Sequence, residues 1–215
     1  MSNVLIVGAT RGLGLELAKQ YQARGDNVSG TARADPPNDA TAGIKWVPNV
    51  DLSVESAGSN LVRGLARDDL DLVIITAGYF GKESFDDPSF EKEVLMYKTS
   101  AIGPVLVVHR LVKENLLKKG AKIIIVSSES GSIALRHESE GGGNFGHHGS
   151  KAASNMVGKL LSIDLKDKGI IVVNVHPGFM RTEMTKSVGF DQYWDDGGGM
   201  YMPALLRDDS DSYSL

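Results

Sequence analysis

The sequence predicts an α/β fold with a doubly wound parallel sheet of six strands. Three observations predict it: short β-branched runs alternate with helical patterns, a glycine-rich turn follows the first run, and turn residues close later runs. Buried parallel strands are typically continuous apolar runs. The runs lie at Val4–Val7, Val28–Ala32, Ile44–Val50, Leu72–Thr76, Lys122–Val126 and Ile170–Val175. In such a sheet, ligands bind beyond the carboxyl ends of the strands, where the strand order reverses.

Helical patterns fill the gaps between these strands. Apolar residues recur at helical spacing after the glycine-rich turn, and Gly25 suits the end of that helix. Ser53 is a candidate N-cap of the second helix. Pro104 removes a backbone donor and predicts a kink in the longest pattern. The later patterns lie at Val54–Arg67, Phe90–Lys119 and His147–Lys168.

The composition limits the function classes. The 215 residues include 23 Lys and Arg against 27 Asp and Glu, a net charge of −4, so no basic excess predicts a nucleic-acid or anionic-membrane partner. The chain contains no cysteine, and the His and Glu residues between 137 and 148 fit no zinc spacing, so no metal site is expected. The apolar runs are much shorter than the roughly 20 residues of a spanning helix, and the N-terminus does not resemble a signal peptide. We therefore expect a cytoplasmic location.

A glycine-rich turn, GATRGLG, runs from Gly8 to Gly14 between the first strand and the first helix. Gly8 allows a tight turn, Gly12 lets the backbone approach a pyrophosphate, and Gly14 allows close packing of helix on strand. The N-terminus of the helix offers free N–H groups and a positive dipole end to that anion. The turn therefore predicts a nucleotide site, with an ordinary glycine-rich turn as the alternative.

The Gly-x-x-x-Gly-x-Gly spacing resembles that of the short-chain dehydrogenase/reductase family, and the resemblance recurs in order along the chain. Its further motifs are Asp51-Leu52 after the third strand, Thr76-Ala77-Gly78 ending the fourth, Ser127-Ser128 after the fifth, and Pro177-Gly178 with Thr182 after the sixth. It covers about residues 3–185, and the segments SSESGSIA and GSKAASNM look most like the C-factor-like branch. The resemblance implies a Rossmann-like sheet that binds a nicotinamide dinucleotide.

The resemblance also implies which residues bind that cofactor. They are Gly8, Thr10, Arg11, Gly12, Leu13, Gly14, Arg33, Asp51, Leu52, Ala77, Gly78, Lys151, Pro177, Gly178 and Thr182. Arg11 and Arg33 suit a 2′-phosphate, which a guanidinium can hold in bidentate fashion, so we expect NADP(H) rather than NAD. Two alternatives stay open: Asp35 binds a ribose hydroxyl instead, or both arginines are solvated surface charges.

The catalytic centre departs from the family pattern. The resemblance implies a Ser, a Tyr and a Lys, with the Tyr four residues before the Lys on one helix face. Ser128 and Lys151 stand at the expected positions, but His147 occupies the position of the Tyr. Thr76 and Ser100 also replace two asparagines of the family pattern.

Three interpretations of His147 remain open. It is a substitute general acid/base, whose ordinary pKa near 6.5 suits proton transfer and whose neutral form can still donate an N–H to a carbonyl oxygen. Alternatively, the hydride-transfer centre has decayed, or the imidazole only fills the space of the tyrosine. The first interpretation predicts an NADPH-dependent reductase of a small carbonyl substrate. The second predicts a redox-silent descendant that acts as an isomerase or cyclase, or as a nucleotide-sensing binding protein.

The chain divides into two functional parts in this interpretation. Residues 1–185 form the dinucleotide-binding and catalytic domain, and residues 186–215 form a substrate-covering segment followed by a truncated tail. The Gly-rich segment 129–146 is predicted to form a long loop that covers the substrate. Relatives continue into a further helix and a seventh strand. Because this chain has a short acidic tail there, we expect a homo-oligomer to be weakened and the sixth strand to lie at an edge.

Overall fold

The computed structural model describes residues 1–36, 42–65 and 69–189. Within these residues, six parallel strands form one sheet in the order β3-β2-β1-β4-β5-β6. The strands are β1 (Asn3–Val7), β2 (Asn27–Thr31), β3 (Lys45–Val47), β4 (Leu70–Ile75), β5 (Leu117–Val126) and β6 (Ile171–Val175). The chain winds outward from β1 to β3 and then restarts at β4 in the opposite direction. The predicted doubly wound, Rossmann-like sheet is therefore confirmed, and its strand order reverses between β1 and β4.

Helices cover both faces of the sheet. They are α1 (Gly12–Ala23), α2 (Ala57–Gly64), α3 (Phe90–Tyr97), α4 (Gly103–Lys113), α5 (Phe145–Asp164) and the short α6 (Glu183–Ser187). Successive residues of β1 point to opposite faces: Leu5 belongs to the core under α2 and α4, and Ile6 to the core under α1. Both are fully buried, which explains why β1 is a continuous apolar run rather than an alternating one.

The predicted helix Phe90–Lys119 is wrong in its last six residues, after Lys113. A π-helical turn, Lys98–Ile102, joins α3 to α4, and α4 ends at Lys113. Asn115 then adopts a left-handed conformation with φ of +54°, so the chain reverses into β5 at Leu117, five residues before the predicted start. Pro104 lies in the first turn of α4, where a backbone N–H would have no acceptor within that helix, so its absence costs little. The irregularity predicted from Pro104 takes the form of the π-helical turn before it.

Two other helices begin at residues that differ from the prediction. The Ser53 N–H is held by Asp51 Oδ1 at 2.8 Å in a turn, so α2 starts at Ala57 and Ser53 does not cap it. Helix α5 starts at Phe145, two residues before His147, and ends at Asp164 in front of a 3₁₀ turn. At Ser53 a local turn bond, rather than apolar spacing, sets the boundary.

The segment 129–146 contains more local structure than a plain loop, since it holds the 3₁₀ turns Glu129–Gly131 and Glu138–Glu140. Among the described strands, β6 lies at an edge, with Ile171 half exposed. The predicted covering segment 186–215 falls outside the described residues beyond Gly189. In the part of the chain that is described, no helix combines the length and apolar character needed to cross a membrane.

The packing of α2 on α4 predicts the effect of one glycine substitution. A Cβ atom on Gly58 would lie 2.5 Å from the Leu106 carbonyl oxygen and 2.7 Å from Arg110 Cγ. Gly58→Ala should therefore lower the free energy of unfolding by about 1–3 kcal/mol through overpacking. Its better helix propensity, about 1 kcal/mol, offsets only part of this. Urea unfolding measures the change.

Gly142→Ala is the matched control. No atom of the described residues lies within 4 Å of a Cβ placed there, so its unfolding midpoint should stay at the wild-type value. A Gly58→Ala variant as stable as the wild type would contradict the tight packing of α2 on α4.

Candidate active site

The glycine-rich turn packs tightly against the end of β4. Gly8 has a φ of +94°, and a Cβ atom there would lie 2.7 Å from the Ala77 backbone nitrogen. A Cβ on Gly14 would overlap the Gly8 carbonyl oxygen and lie 2.6 Å from Thr76 Oγ1. Side chains larger than hydrogen do not fit at either position. The structure therefore brings together the predicted residues Gly8, Gly14 and Ala77 at the point where the strand order reverses.

The first turn of α1, beside this contact, has backbone N–H groups that donate no hydrogen bond within the helix. The first bond near the start of the helix runs from the Leu15 N–H to the Arg11 carbonyl at 3.4 Å, which leaves the N–H groups of Gly12, Leu13 and Gly14 without helical acceptors. Within the described residues, no side chain caps α1, and its first turn contains no acidic residue. This donor set suits a diphosphate.

The segment after β6 returns to the same turn. A Cβ atom on Gly12 would lie 3.6 Å from Thr182 Cγ2, so these two predicted residues are neighbours. Thr182 is the N-cap of α6, and its Oγ1 accepts the Thr185 N–H at 3.3 Å. Between β6 and α6, Pro177 is followed by Gly178 at φ of +75°. The predicted residues from opposite ends of the described chain thus share one edge of the sheet.

The ends of β2 and β3 bring another group of predicted residues together. The Val50 N–H donates to the Ala32 carbonyl at 3.0 Å, which places Arg33 and Asp51 at the same edge. Arg33 is exposed, as is Arg11 in the glycine-rich turn. Both guanidiniums are therefore accessible to an anionic ligand from solvent.

Three predicted cofactor residues are less exposed than Arg11 and Arg33. Leu52 is only 4% exposed, and its side chain belongs to the core under α2 and α4, because Gly103 lets the α4 backbone approach it closely. Only its backbone can serve a ligand. Thr10 is half-buried in the glycine-rich turn, and Gly78 is half-buried after Ala77.

The three predicted catalytic residues come from the end of β5 and from α5. Lys151 Nζ donates to the Val126 carbonyl at 3.0 Å, which holds the ammonium at the carboxyl end of β5. Ser128 caps the 3₁₀ turn that follows, and its Oγ accepts the Ser130 N–H at 3.1 Å. Gly131 in that turn packs against the backbone of Lys151. His147 lies one helical turn before Lys151 on α5 and shares its face.

His147 is neutral at physiological pH. Its ring lies 4.4 Å from the Phe80 ring, centroid to centroid, and meets the His148 ring edge-on at 5.6 Å. Its pKa is lowered from 6.5 to about 4, mainly because burial disfavours the imidazolium and also because Lys151 and His148 repel its charge. The His147 side chain is therefore an uncharged N–H donor at that pH.

Lys151 is charged at neutral pH, but its pKa is lower than that of an exposed lysine. Burial lowers the pKa of its ammonium from 10.5 to about 8. At neutral pH the centre therefore pairs one neutral imidazole with one cation on the same helix face. This combination can donate a hydrogen bond to an oxygen and compensate negative charge that develops on it.

Three residues around the candidate site, Ser127, Phe80 and Glu83, have contacts that the sequence did not predict. Ser127 is buried, and its Oγ donates to Asn155 Oδ1 at 2.5 Å and to the Lys151 carbonyl at 3.3 Å, which ties α5 to the end of β5. Phe80 and Glu83 come from the loop after β4, and no local pattern singles them out. Within residues 1–36, 42–65 and 69–189, no three His, Asp or Glu side chains come together as a metal site.

Comparison with known proteins identifies the family. The family model described as short chain dehydrogenase matches residues 2–192. The chain belongs to the short chain dehydrogenase family. A dehydrogenase of 1-hydroxy-2-glutathionyl-2-methyl-3-butene from Rhodococcus sp. (strain AD45) is 31% identical over 188 residues, which are 86% of this chain and 81% of that protein. The predicted family resemblance is thereby confirmed.

Two further members of the short chain dehydrogenase family refine the comparison. The C-signal protein of Myxococcus xanthus is 30% identical over 118 residues, 54% of this chain and 68% of that protein, which confirms the likeness to the C-factor-like branch. The solved structure of an NADPH-bound carbonyl reductase from chicken fatty liver superposes with a TM-score of 0.72 at 25% identity, covering 86% of this chain and 78% of that one.

The lowered pKa of His147 predicts a pH dependence of stability. In the folded chain His147 binds a proton only near pH 4, whereas in the unfolded chain it does so near pH 6.5. Between these values the unfolded chain binds more protons, so the free energy of unfolding falls as the pH falls from about 6.5 to about 4. His147→Gln removes this component, so its stability should fall less than that of the wild type, as measured by urea unfolding across the window.

His109→Gln is the control, because His109 is exposed on α4. Its pH dependence should follow the wild type. Parallel curves for the wild type and His147→Gln would show that His147 titrates as it does in the unfolded chain.

Proposed function

We propose that this short chain dehydrogenase is an NADPH-dependent reductase of a small carbonyl substrate, with His147 in place of the family's tyrosine. The observation that carries the proposal is the neutral imidazole of His147 beside the charged Lys151, on one face of α5 and next to the end of β5. A neutral hydrogen-bond donor followed four residues later by a cation reproduces the chemical character of the usual Tyr and Lys.

The described residues fit the cofactor. The uncapped first turn of α1 would receive the diphosphate, and Arg11 and Arg33 would receive the 2′-phosphate. Asp51, Ala77 and the segment from Pro177 to Thr182 would flank the rest of the dinucleotide. When bound, NADPH supplies a hydride to the carbonyl carbon. The NADPH bound to the chicken carbonyl reductase supports this choice of cofactor.

The protein's own groups would act on the carbonyl oxygen. Ser128 Oγ and the His147 ring N–H would donate hydrogen bonds to that oxygen and stabilise the charge that develops on it. A neutral imidazole carries one N–H and one acceptor nitrogen, so it can give a proton at one nitrogen and regain one at the other. Lys151, charged below a pKa of about 8, would offset negative charge and replace the proton.

The proposal assigns different roles to two parts of the chain. Residues 1–185 would bind cofactor and perform the reaction, and residues 186–215 would cover the substrate. The partner is a small molecule rather than nucleic acid or membrane, and a cytoplasmic location agrees with this.

A second candidate is a redox-silent descendant that binds the nucleotide without oxidising it. This candidate is favoured by the contacts of Thr76 and Ser100, the residues that stand where the family pattern has asparagines. The Thr76 hydroxyl donates to the backbone of Val7 and Gly8 at 3.0 and 3.1 Å, and the buried Ser100 Oγ has no hydrogen-bond partner in the described residues. NADPH oxidation with a panel of aldehydes and ketones separates the two candidates, because nucleotide binding without turnover supports the second.

The two exposed arginines predict the choice of nucleotide. Each charge-assisted contact to a 2′-phosphate contributes about 1.5–3 kcal/mol before solvent screening. NADPH should therefore bind at least about tenfold more tightly than NADH, since about 1.4 kcal/mol is a factor of ten. Titration calorimetry with both nucleotides measures the ratio, and Arg11→Ala with Arg33→Ala should bring it close to one.

Arg63→Ala provides the matched control, because Arg63 is an exposed arginine on α2. It should leave the preference for NADPH intact. Equal affinities for the two nucleotides in the wild type would reject the assignment of Arg11 and Arg33.

The proposed role of His147 predicts a loss of turnover. His147→Ala should lower kcat for carbonyl reduction by about 10²–10⁴, the usual contribution of a general acid, with little change in NADPH affinity. Since reduction needs neutral His147 and charged Lys151, kcat/KM of the wild type should fall below about pH 4 and above about pH 8. Steady-state NADPH oxidation across this range measures both effects.

Two variants complete that experiment. His147→Tyr should keep or raise carbonyl reduction, because it restores the family's own residue beside Lys151. His109→Ala, at an exposed position on α4, should match the wild type. An alanine variant at position 147 that turns over as fast as the wild type would remove His147 from the mechanism.

A further inference from the structure

A buried carboxylate lies behind the candidate active site and takes no part in the chemistry proposed so far. Glu83, in the loop between β4 and α3, is only 5% exposed. Among the residues that the structure describes, it is the one charged residue that is buried to this extent. A buried charge is costly unless it is hydrogen-bonded, so its contacts show what it does.

The contacts of Glu83 all lead to the start of α5. Its Oε1 accepts the Gly146 N–H at 2.5 Å. Its backbone also exchanges two bonds with Asn144: the Asn144 N–H donates to the Glu83 carbonyl at 3.0 Å, and the Glu83 N–H donates to Asn144 Oδ1 at 3.3 Å. Three hydrogen bonds therefore join the loop after β4 to the turn that carries His147.

Helix α5 cannot supply this fixation itself. The chain enters it through a glycine-rich segment in which Gly141 and Gly143 have positive φ, and its N-cap Asn144 has φ of +48°. The Asn144 side chain caps no N–H of α5, because its oxygen accepts from Glu83 instead. A carboxylate from outside the helix thus takes the place of a cap and also meets the positive end of the helix dipole.

The same loop also holds the ring of the catalytic candidate. Phe80, three residues before Glu83, lies against the His147 imidazole with centroids 4.4 Å apart. Glu83 holds the backbone one residue before His147, and Phe80 holds its side chain. Both contacts depend on the position of one short stretch of chain.

We propose that Glu83 is a positioning residue for His147: by capping the first turn of α5 from the loop after β4, it fixes the imidazole beside Lys151 and under Phe80. The proposal rests on the proposed function only for its effect on turnover. Its effect on the position of the ring can be measured without a substrate.

The test compares Glu83→Ala with Glu83→Gln. The alanine variant loses the acceptor, so His147 should move out of its buried position and its pKa should rise from about 4 toward 6.5. Because small misplacements of a reacting group can cost about 10²-fold, kcat for carbonyl reduction should fall by a similar factor while NADPH affinity stays unchanged. The glutamine variant keeps the acceptor, and its NH₂ group replaces Oε2, which has no hydrogen-bond partner among the described residues. It should restore both the pKa and kcat.

The pKa of His147 is read from imidazole NMR signals, assigned by their loss in His147→Gln, and kcat is referred to the concentration of NADPH-binding sites. Glu91→Ala, an exposed glutamate in the first turn of α3, is the control and should match the wild type in both readouts. Should Glu83→Ala fail to fold, Asn144→Gly tests the same link. It removes one bond to Glu83 and suits the positive φ, so the chain should fold and the pKa should rise by a smaller amount.

The outcomes separate the two proposals. An unchanged pKa of His147 and an unchanged kcat in Glu83→Ala would overturn the positioning role, as would a glutamine variant as impaired as the alanine variant. A wild-type protein that reduces no carbonyl compound, but whose His147 pKa rises in Glu83→Ala, would overturn the proposed function and support the positioning role.

Discussion

The contact between the glycine-rich turn and the end of β4 is the constraint on which the rest of the structure depends. Gly14 must lack a Cβ atom for α1 to approach the Gly8 carbonyl, and Gly8 must lack one for the turn to approach Ala77. This approach sets α1 directly over the point where the strand order reverses. As a result, the uncapped N–H groups of α1 lie beside the end of β4 and beside Thr182, at one edge of the sheet.

Burial sets the charge states of His147 and Lys151 at the candidate active site. Burial lowers the pKa of His147 to about 4 and that of Lys151 to about 8. At physiological pH the imidazole is therefore neutral and the ammonium is charged. An imidazole exposed to water would be partly protonated there and would repel Lys151. The Phe80 ring, packed against His147, belongs to the surroundings that bury the imidazole.

Most of the fold could be predicted because buried parallel strands and a glycine-rich turn leave strong local patterns. The error after Lys113 arose where the apolar pattern continues through Leu116 and Leu117, since the residues of a buried helix and a buried strand look alike over a short span. The placement of His147 four residues before Lys151 also follows from spacing alone. Phe80, Glu83 and Ser127 could not be assigned, because their roles depend on loops and strand ends that meet only in the folded chain.

The tie between Glu83 and Gly146 has a consequence for the order in which the chain folds. It joins residues 63 positions apart, and the bond from Thr76 to Val7 spans 69 positions. Contacts between such distant residues pay a loop-closure cost before they return any stability, so they form after the local helices and turns. We therefore expect the candidate active site to assemble late. A partly folded chain with α5 already formed would have His147 and Lys151 on one helix face, but would still lack the contacts of His147 with Phe80 and of Lys151 with the end of β5.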